Sequence, residues 1–107
     1  VLKHPLLAFF IQDLQAVFAP RFIVVTRSVE AIEASRQRRE WHPVYGRAGA
    51  GPIYNQIFTA CMQQPLEALV LSYDAFRSNP GLRNRMRQWL DLHPDADSLT
   101  QAEQWLR

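Results

Sequence analysis

One cysteine and one lysine stand among the 107 residues, and no apolar run approaches the roughly 20 residues that a membrane-spanning helix needs. The lone Cys61 excludes an internal disulfide and fits a reducing, cytoplasmic setting. Its place in an apolar helical pattern reads as a buried structural thiol. No segment has the pattern of a secretory signal, and the chain opens at Val1, so further sequence ahead of it is expected. None of the four glycines is followed by the Lys-Ser/Thr pair of a nucleotide-cradling loop, which argues against a P-loop phosphotransferase. His42 and His93 precede prolines, with no Cys, Asp or Glu at ligand spacing, so no metal site is expected. The net charge is only +2, and nucleic acid is not indicated as a partner. Eleven arginines against one lysine suit forked contacts with anions, although genomic base composition produces the same bias.

What is present suffices for one domain: 48% of the residues are hydrophobic, enough for a core in a chain of this length. Pro5 to Phe18 reads as a helix with Leu7, Phe10, Ile11, Leu14 and Phe18 on one face, stopped by Ala19-Pro20. Residues 22–26 are apolar at consecutive positions, as in a strand covered on both faces. Ser28 then caps a helix to about Glu40, with Glu30 in its first turn. His42 to Pro52, with two prolines and three glycines, reads as a flexible loop. A helix over about 52–64 follows, with Ile53, Ile57, Phe58 and Cys61 inward. Ala68–Leu71 is a second buried strand. A helix capped by Asn79 turns Leu82, Met86, Trp89 and Leu90 to the core and Arg83 and Arg87 to solvent. Ser98 with Gln101 makes a capping box for a last short helix carrying Leu99, Ala102 and Leu106.

Strands joined through helices pair in parallel, so the fold class is α/β, helix-rich, with a partial parallel sheet. Two parallel strands leave both sheet edges open, which calls for a second copy or a complementary segment of a larger sheet. The most informative spacing is Arg27 to Ser35. An arginine at a strand end, a helix start and a hydroxyl two turns on can together hold one phosphate. The same residues also suit a solvent-facing arginine, a capping Ser28 and a small packed Ser35. The basic run Arg36, Arg38, Arg39 with Arg47 can receive an acidic acceptor or nucleotide phosphates, or form a solvated helix face. Tyr73 and Asp74 fall at the end of the second strand, where a packed ring and local backbone bonding by the carboxylate are expected, with a site wall as the other reading.

The segment Phe22–Ser35 resembles the nucleotide 3′-phosphate segment of the sulfotransferase family: apolar strand, arginine, short turn, and a serine eight residues later. Lys3-His4-Pro5 is similar to the family's lysine-x-proline element. Leu69–Phe76 resembles its later strand ending in tyrosine-acid-x-apolar, and Trp89–Leu92 its apolar-leucine-glycine-leucine close. The likeness spans roughly residues 3–92. It implies a P-loop-like sulfotransferase fold and the sulfuryl donor 3′-phosphoadenosine 5′-phosphosulfate, bound at its 3′-phosphate by Arg27 and Ser35. It also implies a small-molecule or glycan acceptor bearing a hydroxyl or amine, and no metal.

By the same likeness Lys3 offsets charge on the leaving phosphate, with a frayed terminal lysine as the alternative. His4 is the candidate general base, with an ordinary helix-start histidine as its alternative. The family's glycine- and serine/threonine-rich loop for the 5′-phosphosulfate is missing, as is its C-terminal basic-glycine segment. Residues 1–107 therefore resemble the middle and later part of a sulfotransferase, a truncated form expected to have little activity alone. The other reading is a non-catalytic remnant or phosphate-binding interaction module that pairs with itself.

Overall fold

Both expected strands form and set the frame. In the computed structural model, which describes residues 1–106 (for Leu106 the backbone alone), β1 (Phe22–Thr26) and β2 (Ala68–Ser72) pair in parallel, with Phe22 opposite Ala68 and Thr26 opposite Ser72. The fold is thus helix-rich α/β around a two-stranded parallel sheet. The strands are not covered on both faces as their composition predicts. Leu71 is 5% exposed, but Val25 is 55% and Val70 64% exposed, because two strands offer too little area for helices to cover on either side.

The N-terminal helix is broken. Pro5–Phe10 is a 3₁₀ turn, followed by α1 (Ile11–Phe18) and a left-handed Ala19 that ends it. Three residues per turn shift the apolar stripe around the axis. Ile11 is buried, whereas Phe10 and Phe18, expected inward, face solvent. The next helix, α2 (Val29–Arg39), starts as predicted: the Ser28 hydroxyl accepts the Ala31 N–H at 3.2 Å, and Glu40 closes it in the left-handed region.

The glycine- and proline-bearing stretch after it is ordered structure, not a flexible loop. Pro43–Tyr45 is a 3₁₀ turn, and α3 (Arg47–Gln63) begins five residues before Pro52, which lies inside the helix. A distant side chain explains the early start. The Glu33 carboxylate of α2 accepts the Arg47 N–H at 2.9 Å while paired with Arg36, and Arg36 also donates to the Trp41 carbonyl. These bonds hold the Glu33 carboxyl below its ordinary pKa and raise that of Arg36, the hydrogen bond between them being the main cause. With the helix so phased, Ala50 and Ala60 point inward, while Cys61 and Phe58 are exposed, opposite to expectation.

After β2 a short helix, α4 (Tyr73–Ser78), was not foreseen. The Ser72 hydroxyl caps it at Ala75 N–H, 3.4 Å. Asn79 caps α5 (Pro80–Trp89) as expected, through Gly81 N–H at 2.9 Å. Arg83 is buried rather than turned to solvent. It donates to the Phe76 and Arg77 carbonyls, each at 2.8 Å, so it satisfies the end of α4, and it pairs with Glu103 of α6 (Ala96–Leu106). That pairing raises the Arg83 pKa. The α6 cap is Asp95, accepting Ser98 N–H at 2.7 Å, and not Ser98, because α6 starts two residues before it. The Ser98 N–H bond lowers the Asp95 pKa. The expectation for the Leu106 side chain lies outside the described residues.

The described hydrophobic residues that become buried are Ala8, Ile11, Ala50, Ala60 and Leu71, three of them alanines. Among the described residues no helix is long and apolar enough to cross a membrane.

Candidate functional site

Parallel pairing in register decides which side chains meet at the carboxyl end of the sheet. Thr26 lies opposite Ser72, so the residues that follow, Arg27 and Tyr73, leave the sheet side by side. The Thr26 hydroxyl donates to the Leu71 carbonyl at 3.2 Å and ties the two strand ends together. The Arg27 guanidinium lies over the Tyr73 ring, 4.3 Å from its centroid, a cation–π distance.

The backbone of Arg27 is fixed by α3. The Tyr54 hydroxyl accepts the Arg27 N–H at 3.0 Å and donates to the Arg27 carbonyl at 3.3 Å. One phenol thereby satisfies both peptide groups where β1 loses its partner strand, which buried backbone requires. Nothing in the spacing of Tyr54 announces this. A tyrosine 27 residues away in an apolar helix reads as core.

Besides the Tyr73 ring, the carboxylate that meets the Arg27 charge among the described residues is a distant one. The Arg27 Nε stands 4.0 Å from Asp74 Oδ1, too far for a hydrogen bond, and Asp74 is largely exposed. The Arg27 Nε is buried without a hydrogen-bond partner among the described residues, although the side chain as a whole is 28% exposed. A planar cation is therefore held in place by stacking, with an oxygen acceptor wanting at Nε. Tyr73 fulfils the expectation of a packed ring. Asp74 does not turn its carboxylate to local backbone; it faces Arg27 across 4.0 Å.

Ser35 is half-buried in the second turn of α2. It follows the capping Ser28 by seven residues, nearly two full turns, so it stands above Ser28 on the same side, about 10 Å along the axis. The strand-end arginine therefore adjoins the helix start, with Ser35 about two turns further along α2.

Lys3 and His4 lie just ahead of the 3₁₀ turn Pro5–Phe10. Lys3 is exposed. His4 accepts the Leu6 N–H at Nδ1, 3.2 Å, and sets its ring edge-on to Tyr45 at 5.8 Å. The described contacts of His4 lead to Tyr45, in the turn ahead of α3, rather than to Arg27. The row continues through Tyr45 and Trp41, 6.3 Å apart, to Arg39 stacked 4.9 Å above Trp41. Within the basic run, Arg36 and Arg39 have structural partners, whereas Arg38 and the Arg47 side chain stay on the exposed face. Among the described residues there is no group of three or more His, Cys, Asp or Glu placed to hold a metal.

Chemically, the sheet end can bind an oxyanion through a preplaced guanidinium next to a helix N-terminus. No known protein family, curated protein or solved structure matches this chain.

Proposed function

We propose that the carboxyl end of the sheet is a phosphate site, and that the phosphate is the 3′-phosphate of a sulfuryl-donor nucleotide, as in sulfotransferases. One observation carries this reading: the Arg27 guanidinium lies over the Tyr73 ring with its Nε buried and, among the described residues, lacking an acceptor. A phosphate oxygen supplies that acceptor near the start of α2, and Ser35 offers a hydroxyl about two turns further along. In the complete reaction, the sulfuryl group passes from the phosphosulfate to an acceptor hydroxyl or amine, the acceptor loses a proton, and adenosine 3′,5′-bisphosphate leaves. Arg27 and Ser35 bind and orient in that scheme. Lys3 would offset charge on the leaving phosphate. His4 serves as proton acceptor only by releasing the Leu6 N–H or by using Nε2, because its Nδ1 is occupied as a cap.

A second reading keeps the pocket and drops the chemistry. The strand-end arginine and the helix start need no reacting group beside them to hold a phosphate, so residues 1–107 also fit a nucleotide- or phosphate-binding module without turnover. Calorimetric titration with adenosine 3′,5′-bisphosphate, against adenosine 5′-monophosphate as the control lacking the 3′-phosphate, tests the site common to both. A charge-assisted hydrogen bond contributes about 1.5–3 kcal/mol, so Arg27→Ala is expected to weaken binding roughly 10- to 100-fold. Equal affinity for the two nucleotides, or affinity unchanged in both Arg27→Ala and Ser35→Ala, refutes the assignment. Sulfuryl transfer to a phenolic acceptor by the same chain separates the enzyme from the module.

A further inference from the structure

The molecule exposes far more surface than a chain of its size should. Its accessible area is 7967 Å², whereas a folded monomer of 12.4 kDa is expected to expose about 6,100 Å². Its radius of gyration is 15.3 Å, against about 13 Å for a compact domain of this length, and it is a slab only 18 Å deep in its thinnest direction. The excess of about 1,800 Å² is more than twice the roughly 800 Å² per partner of a standard stable interface. Exposed apolar side chains supply its chemistry, including Ile23 and Val25 on one face of β1.

The edge of β1 is unprotected as well. Its sequence Phe-Ile-Val-Val-Thr has no charge, proline or glycine, none of the devices that keep edge strands from pairing. α4 lies against β2, whereas β2 is the principal neighbour of β1. We propose that β1 pairs with β1 of a second copy of this chain, antiparallel across a twofold axis. The result is a four-stranded sheet in the order β2, β1, β1 of the partner, β2 of the partner. A closed twofold uses the same patch on both copies and leaves no growing end at β1. Placing the axis at Val24, the middle of the five-residue strand, pairs the strand over its whole length, so that Ile23 of one copy faces Val25 of the other. Both are β-branched residues on the same face, a favourable cross-strand pair. This inference is independent of the phosphate reading.

Sedimentation equilibrium of the 107-residue chain at micromolar concentration should give the mass of two 12.4 kDa chains. The register supplies a charge test, because like charges directly opposite repel and opposite charges attract. Ile23→Lys with Val25→Lys sets lysine against lysine in both cross-strand pairs and should yield monomer. Ile23→Lys with Val25→Glu sets lysine against glutamate and should restore the dimer. If the double-lysine variant fails to fold, Val24→Cys in a Cys61→Ser background decides instead: air oxidation should link two chains through position 24. A monomeric wild type, an open-ended ladder of oligomers, a dimer unaffected by the two lysines, or reduced chains only in the cysteine variant would each overturn the proposal.

Discussion

Two glycines in the first turns of α3 are expected to respond to the same substitution with opposite sign. Gly51 is exposed, with no atom within 4 Å of an added Cβ, so Gly51→Ala gains only the lower backbone entropy of alanine in the unfolded chain. That gain is about 0.5–1 kcal/mol, or about 2–6 °C in midpoint for a domain near this size. At Gly49 an added Cβ falls 1.8 Å from the Val44 carbonyl oxygen and 2.8 Å from its carbon, where ordinary contact begins near 3.4 Å. The obstacle is backbone, so relief requires the Pro43–Tyr45 turn to separate from α3. Overpacking of this kind typically costs about 1–3 kcal/mol, and a clash this deep lies at the upper end. The propensity gain of about 1 kcal/mol does not repay it. Gly49→Ala should therefore lose about 1–2 kcal/mol net, about 1.5–3 kcal/mol below Gly51→Ala. Urea unfolding followed by circular dichroism, with a shared slope, measures both variants. Equal stabilities, or a loss in Gly51→Ala, would refute the placement of residues 47–51 in a helix packed on Val44.

Three further outcomes are expected. Tyr54→Phe removes the hydroxyl that satisfies both peptide groups of Arg27. It should cost about 1–3 kcal/mol in unfolding experiments and weaken nucleotide binding with it; unchanged stability would remove Tyr54 from its clamping role. Glu33 and Asp95 have pKa values lowered in the fold, so each contributes stability that is complete above the unfolded value and lost as pH falls through the folded one. Stability measured from pH 6 down to pH 2 should therefore decline below about pH 4.5, and Glu33→Gln should flatten that decline. Glu103→Gln removes the partner of Arg83 and should speed hydrogen exchange across α6 while leaving α3 amides protected, because α6 is tied to α5 through this ion pair.

Some of this architecture is local, and local physics writes it into the sequence. Ser28 and Asn79 cap helices because a short polar side chain next to a helix start can reach the first free N–H groups, whatever the rest of the chain does. The strands around Val24 and Leu69, their parallel pairing and the place of Arg27 at a strand end follow in the same way from apolar runs joined through helices. What depended on meetings between distant residues was hidden. Periodicity points Cys61 inward, but it is exposed in a helix that the Glu33 carboxylate, fourteen residues ahead of Arg47, starts five residues early. Arg83, one turn from Arg87, reads from spacing as the solvent side of its helix, yet two carbonyls ending α4 and a carboxylate twenty residues on offset the cost of burying it.

The sequence by itself thus determined a strand-end arginine beside a capped helix. Tertiary structure alone decided that Tyr54 would pin its backbone and Tyr73 carry its side chain. The same structure turned the His4 ring edge-on to Tyr45. The division has one physical cause: caps and strand runs are satisfied within a few residues of chain. A cation's setting depends on the register that brings two strand ends together.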